Sequence, residues 1–275
     1  MTGPTYTYWL EQTEADVPAG NQWLSVGERS RLTGMRFDKR RRDWRLGRWT
    51  AKRLAASCLN LPTDVQSLGD IEIRAAPSGA PELFLFNQNT AVSLSLSHRA
   101  GKALCVLGLS GERLGCDLEL IESRDDSFAT VFFTPNERRL IDAAFADQRP
   151  LLATLLWSAK ESGLKALRVG LRWDTTLLDV SSSDDPRPDD SPQNADVRWF
   201  PLVVRCTDGP ILRGRWRCAN GMVRTVVFNP MPVQPYQPHH QGFSRAGDEL
   251  DPEDPKPIGA TWCSHDERDS GHTEM

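Results

Sequence analysis

Gly115-Cys116-Asp117-Leu118-Glu119 and Trp157-Ser158-Ala159-Lys160-Glu161-Ser162-Gly163-Leu164-Lys165 are the two stretches from which the rest of the chain is read. The first reads as a strand. Leu104, Val106, Leu107 and Leu109 precede it as an apolar run, Ser110-Gly111-Glu112-Arg113 reads as a turn, and Leu114–Leu120 as the returning strand of a hairpin. Alternation along a strand puts Asp117 and Glu119 on one face and Cys116 and Leu118 on the other. Two carboxylates about 7 Å apart on one face repel each other unless a proton or cation lies between them. Oxygen ligands without clustered histidine or thiolate favour Mg²⁺, or Mn²⁺, over Zn²⁺.

The second stretch reads as a helix. Pro150 suits its first turn and Gly170 the position after its end. Leu151, Leu152, Leu155, Leu156, Leu164 and Leu167 supply an apolar face. Trp157, Glu161 and Lys165, spaced four apart, share one stripe. Glu161 can therefore add a third carboxylate to a cation held by Asp117 and Glu119. Lys165 would sit one turn further, within reach of an anion on that cation. Taken singly, each piece has a plain structural reading: a D-x-E on a strand is commonly a solvated edge, and Glu161 with Lys165 an ordinary surface pair.

Taken jointly, Gly115, Asp117 and Glu119 followed by Trp157, Ser158, Lys160, Glu161 and Lys165 resemble the 4′-phosphopantetheinyl transferases, specifically the larger surfactin-synthetase-activator (Sfp) type. The resemblance spans roughly residues 20 to 230. It implies transfer of the phosphopantetheine arm of coenzyme A to a serine of an apo acyl or peptidyl carrier protein, with Mg²⁺, and release of 3′,5′-ADP. It implies metal ligands at Asp117, Glu119 and Glu161, with Asp117, Glu161 and Lys165 as the catalytic groups. It places Arg45, eight residues after Phe37, on the 3′-phosphate of coenzyme A, and Ser97 and His98 on its phosphates, with Ser95 where the family has asparagine. Lys165 would support the diphosphate oxygens, and Lys160 is assigned either to the diphosphate or to a neighbouring acid. The family's cofactor lysine is absent, because Gly79-Ala80-Pro81 stands where G-K-P is usual.

The chain has 275 residues and a net charge of −4, so nothing global points to nucleic acid. No apolar run is long enough to cross a membrane. No signal peptide is visible, and the cytoplasm is expected. Six cysteines without C-x-x-C spacing read as free, buried thiols, a Cys206–Cys218 disulfide being the minority alternative.

Residues 29–53 hold eleven Lys or Arg against two acids, a local excess of nine positive charges. A long helix from about Asp38 to Cys58 burying its tryptophans is expected, its basic side a solvated face, an anion site or a surface for an acidic carrier protein. Val131-Phe132-Phe133-Thr134-Pro135-Asn136-Glu137 reads as a capping box, with Thr134 at the N-cap. Strands are expected over residues 177–180, 197–206, 211–218 and 222–228. Residues 181–194 read as an acidic loop and 231–275, with nine acids and three Lys or Arg, as a disordered tail.

Each half thus reads as one principal helix followed by about three strands. The expected fold is α+β: a pseudo-twofold pair of α/β subdomains, residues 1–114 and 115–230, each a long helix on a small, mainly antiparallel sheet. One chain supplying both halves is expected to act as a monomer. The rival readings are a Mg²⁺-dependent nuclease and a non-enzymatic binder of nucleic acid or an acidic protein through the basic helix.

Overall fold

The computed structural model describes residues 7–109, 113–170, 173–182, 199–229 and 235–236. Two antiparallel sheets, each backed by one long helix, make an α+β fold. In chain order the elements are β1 (Thr7–Thr13), α1 (Val26–Thr33), α2 (Asp38–Cys58), β2 (Ile71–Ala75), β3 (Pro81–Leu85), β4 (Gln88–Arg99), β5 (Lys102–Gly108), β6 (Arg113–Leu120), α3 (Asp126–Phe132), α4 (Pro135–Ala143), α5 (Arg149–Leu167), β7 (Leu178–Ser182), β8 (Phe200–Cys206), β9 (Ile211–Ala219), β10 (Met222–Asn229) and β11 (Pro235–Tyr236). The first sheet runs β11-β1-β5-β4-β3-β2 and the second β6-β10-β9-β8-β7. Among the described residues, only the β1–β11 pairing is parallel.

Three cores hold this together. Trp49, Leu54 and Ala55 of α2 pack with Ile73, Leu83, Leu94, Cys105 and Leu107 of the first sheet. Leu155, Ala159 and Leu164 of α5 pack with Val204, Leu212, Val223 and Val227 of the second. Trp9, Leu104 and Val106 meet Cys116, Leu118, Val226 and Phe228 between the sheets. β5 is apolar at successive positions because it is covered on both faces: Cys105 and Leu107 turn to α2, Leu104 and Val106 to the second sheet.

The expected hairpin of residues 104–120 does not form. β5 pairs with β1 and β4, whereas β6 pairs with β10 and begins the other sheet; the turn residues 110–112 lie outside those described. β6 leaves because α5 and β4 take its flanks. A Cβ on Gly115 would lie 2.0 Å from the Ser162 carbonyl oxygen and 2.6 Å from the Ala166 nitrogen, so only glycine lets the helix backbone come this close. On the other side the Cys116 N–H donates to Ser95 Oγ at 2.9 Å. Ser95 thus ties β6 to β4.

α5 ends differently from expectation as well. Arg168, at φ 60°, takes the left-handed cap expected to fall to Gly170, and its N–H reaches the Leu164 and Lys165 carbonyls. α2 matches its expected bounds, with Trp49 buried. The five cysteines in the described residues form no disulfide, Cys206 and Cys218 included. Ser181 and Ser182 of the expected acidic loop belong to β7; the rest of that loop, Cys263 and all of the expected tail except Pro235–Tyr236 lie outside the described residues.

The two halves repeat one device. Ser25 caps α1 and Glu28 answers it, while Glu28 Oε1 accepts from the Ile73 N–H at 3.0 Å and Glu28 Oε2 meets Lys52 Nζ at 2.5 Å. Thr134 caps α4 and Glu137 answers it, while Glu137 Oε1 accepts from the Val180 N–H at 2.9 Å and Glu137 Oε2 meets Lys160 Nζ at 2.6 Å. Each lysine also donates to two carbonyls, Lys52 to Trp23 and Leu68, Lys160 to Phe132 and Thr175. A buried ion pair thereby pins each long helix to a short helix and a strand. Burial pushes the Glu137 carboxyl up and the Lys160 ammonium down against their mutual attraction. Removing one partner strands the other charge. Lys160→Met should cost about 3–5 kcal/mol in denaturant unfolding, and Lys52→Met a similar amount; losses below about 1 kcal/mol would show that the pairs do not pin the helices.

Candidate functional site

The close approach at Gly115 sets one stripe of α5 over the outer face of β6. Lys165 Nζ lies 2.7 Å from Asp117 Oδ1 and 2.9 Å from the Cys116 carbonyl oxygen. The Ser97 hydroxyl on β4 donates to the same Asp117 oxygen at 2.8 Å. The Trp157 indole N–H donates to Glu119 Oε1 at 3.1 Å. Glu161, midway between Trp157 and Lys165, faces the same cluster: its carboxyl is pushed up by burial and by the charges of Asp117 and Glu119, against the opposing pull of Lys165. Glu119 is raised by burial and by Asp117, although Arg99, Trp157 and Arg124 pull the other way. Burial opposes the Lys165 charge, but Asp117, Cys116 and Glu161 outweigh it and hold the ammonium up.

Among the described residues, no three histidine, cysteine or acidic side chains already stand close enough around one point to enclose a metal ion. The donor set nevertheless suits one. Asp117 Oδ2, Glu119 Oε2 and Glu161 Oε1 are buried and have no hydrogen-bond partner. Buried carboxylate oxygens without donors are costly, and an oxygen-seeking divalent cation would satisfy all three.

A cleft of about 580 Å³ opens between the first half of α2 and the β2–β4 strands, lined among others by Lys39, Arg40, Trp44, Arg48, Arg74 and His98. Arg48 lies over the Trp44 ring at 4.9 Å, with Glu28 Oε1 3.8 Å away and its Nε without a hydrogen-bond partner. Burial pulls its pKa down to about 10, so a phosphate would relieve a desolvated guanidinium. His98 is lowered by burial, which outweighs the attraction of Asp43. An anion in the cleft would reverse that shift, since the expected raised value needs the ligand's charge.

Of the residues singled out from sequence, Asp117, Glu119, Glu161, Lys165 and Ser97 come together, and His98 lines the adjoining cleft. Two do not join them. Lys160 is fully buried against Glu137, the neighbouring-acid alternative, and turns away from the cluster. Arg45 donates to the carbonyls of Pro18, Ala19 and Gly20 and is not part of the cleft lining. Arg48, three residues and about 4.5 Å further along α2 and about 60° round it, occupies the cleft side instead. Arg48, Arg74 and Arg124 were missed. Arg48 was hidden among the other basic residues of its run, Arg74 reaches the cleft only through β2, and no local pattern sets Arg124 beside Glu119 Oε2, at 3.7 Å.

Residues 113–205 match the family model of the 4′-phosphopantetheinyl transferase superfamily. The match begins at β6 and includes the whole of α5, so the matched segment carries Asp117, Glu119, Glu161 and Lys165. A curated relative, the 4′-phosphopantetheinyl transferase HetI of Nostoc sp., is 26% identical over 164 residues, covering 59% of this chain and 67% of that protein. A holo-(acyl-carrier-protein) synthase from Bacillus anthracis in complex with CoA (3′,5′-ADP) is 22% identical and covers 38% of this chain and 93% of its own, with a TM-score of 0.32. The Helicobacter pylori holo-[acyl-carrier-protein] synthase in complex with coenzyme A is 22% identical over 37% and 96%, with a TM-score of 0.29. No helix among the described residues is long and apolar enough to cross a membrane.

The raised carboxyls fix a pH dependence for the metal-free protein. Above the ordinary value of 4.5, folded Glu119 and Glu161 hold protons that the unfolded chain has released. Stability therefore falls as pH rises through that window. In EDTA, the fall in thermal midpoint from pH 5 to pH 8 should be smaller in Glu161→Gln than in the parent protein. An equal fall would show that Glu161 is not strained by its neighbours.

Proposed function

We propose that this chain transfers the 4′-phosphopantetheine arm of coenzyme A to a serine of an apo acyl or peptidyl carrier protein, releasing 3′,5′-ADP, as a transferase of the larger, Sfp type. The observation that carries the reading is the set of three carboxylates, each with an unpartnered buried oxygen, beside Lys165 and a cation-lined cleft. The match of the segment bearing that set to the 4′-phosphopantetheinyl transferase superfamily model supports it.

In this reading Arg48, His98 and the lysine and arginines of the α2 cleft hold the phosphates of the nucleotide. Arg74, reaching the cleft beside Gly79 and Pro81, supplies a cation where the family's lysine is absent at Ala80. Asp117, Glu119 and Glu161 would hold Mg²⁺, or Mn²⁺, which when bound supplies charge neutralisation at the diphosphate oxygens. Lys165 is a point charge beside the same oxygens. The carrier serine oxygen forms a bond to the phosphorus bearing pantetheine, the bond to the bridging diphosphate oxygen breaks, and 3′,5′-ADP leaves. Glu161, or a water it orients, takes the serine proton; its raised pKa makes it a better base than an ordinary glutamate. The exposed cations of α2 would speed the approach of an acidic carrier.

Incubation with coenzyme A, Mg²⁺ and a panel of apo-carriers, read by intact mass, should give one phosphopantetheine adduct on at least one carrier. Asp117→Ala should abolish the adduct even in saturating Mg²⁺. Arg48→Ala should raise the coenzyme A KM about ten-fold or more, the loss of a charge-assisted contact, while Arg45→Ala should change it little. A protein that nicks plasmid in Mg²⁺ and modifies no carrier is a nuclease instead.

A further inference from the structure

Asp117 and Glu119 share a pattern: one oxygen of each carboxylate is hydrogen-bonded by the protein and the other is not, although Arg99 and Arg124 stand 3.5 and 3.7 Å from the second Glu119 oxygen. Asp117 Oδ1 receives the Ser97 hydroxyl and Lys165, and Glu119 Oε1 receives the Trp157 indole, while Asp117 Oδ2 and Glu119 Oε2 have no hydrogen bond. We propose that Trp157 and Ser97 are positioning residues, each fixing one oxygen of a carboxylate so that the other is presented to a shared divalent cation. The proposal rests on the metal-binding reading above.

Packing alone does not account for the indole bond. The buried indole nitrogens of Trp9, Trp44, Trp49 and Trp199 have no hydrogen-bond partner, so burial in this fold does not require the N–H to be used. Trp23 donates to the Gly20 carbonyl at 3.0 Å and Trp216 to Ser182 Oγ at 3.2 Å, whereas Trp157 donates to a carboxylate of the cluster. Its ring is clamped edge-on by Phe128 at 5.2 Å and Phe132 at 4.9 Å, which fixes the direction of its single donor. It also stands one turn before Glu161 on α5, so a single stripe supplies the third carboxylate and the clamp on the second. Glutamate has three rotatable side-chain bonds, and a strand alone does not orient its carboxylate. Ser97 completes the pattern on the β4 side. Its hydroxyl is directed at a carboxylate here, which makes its first role the orientation of Asp117 rather than a direct contact with phosphate.

The test is binding of Mn²⁺ alone, without coenzyme A or carrier, followed by the paramagnetic signal of free Mn²⁺. Trp157→Phe keeps an aromatic ring and deletes the N–H; Ser97→Ala deletes the hydroxyl. Each should raise the Mn²⁺ Kd about ten-fold or more, leave the coenzyme A Kd in EDTA unchanged, and, for Ser97, be rescued by Ser97→Thr. An Mn²⁺ Kd within about two-fold of the parent in both variants overturns the proposal, as does a Ser97→Ala variant that loses coenzyme A in EDTA but keeps Mn²⁺. If Trp157→Phe does not fold by circular dichroism, Ser97→Ala decides the question. Unchanged Mn²⁺ affinity in variants of a protein that modifies carriers removes only the positioning roles. A parent protein that neither binds Mn²⁺ nor modifies a carrier removes the reading of the site as well.

Discussion

The site depends on the absence of one carbon atom. At Gly115 the α5 backbone lies against β6 so tightly that a Cβ would overlap the Ser162 carbonyl. This contact fixes the depth at which the Trp157–Glu161–Lys165 stripe meets Asp117 and Glu119. Hydroxyls on the same helix tighten the fit: Ser162 and Ser158 bond with Thr225 of β10, the neighbour of β6. An α5 lifted by the width of a methyl group would lose the Lys165–Asp117 bond, since a charge-assisted bond of 2.7 Å tolerates little displacement.

The helices could not be held so firmly without the repeated Glu–Lys pair. In each half the glutamate does two jobs, completing a helix cap and accepting a strand N–H, and the lysine crosses from the long helix to neutralise it. The partners of the two lysines match one for one, down to a carbonyl two residues before each cap, Trp23 and Phe132. Such a match at buried, costly groups is better explained by a repeated unit than by two independent solutions, because many apolar packings would be as stable. The halves differ at the surface: the first carries a cationic helix and cleft, the second the carboxylates.

Local chemistry was legible in the sequence wherever it follows from spacing. The i, i+4 stripe of α5, the alternation of β6 and the Thr134–Glu137 capping box all appear as read. The Ser25–Glu28 box has the same S-x-x-E signal and was open to the same reading. Partner choice over long range was not legible. A turn-like Ser110-Gly111 between two apolar runs argues for a hairpin, and only the competition of α5 and β10 for β6 overrides it. Arg45 and Arg48 differ by less than one helical turn, so composition could not tell which faces the cleft. Lys160, one position before a site residue, points elsewhere because adjacent helix positions are about 100° apart.

The electrostatics of the cluster follow from the same geometry. Asp117 meets Lys165 at 2.7 Å, while Arg99 and Arg124 stay 3.5 and 3.7 Å from Glu119 without a hydrogen bond to it. These cations do not offset burial together with the repulsion among the carboxylates, and the remainder shows as raised carboxyls at Glu119 and Glu161. In the Glu137–Lys160 pair, by contrast, both carboxylate oxygens are hydrogen-bonded and the ammonium sits 2.6 Å away. Raised carboxyls with unbonded oxygens, gathered beside a cationic cleft, are the pattern of a functional site more than of a structural pair, which supports the proposed cation-binding reading.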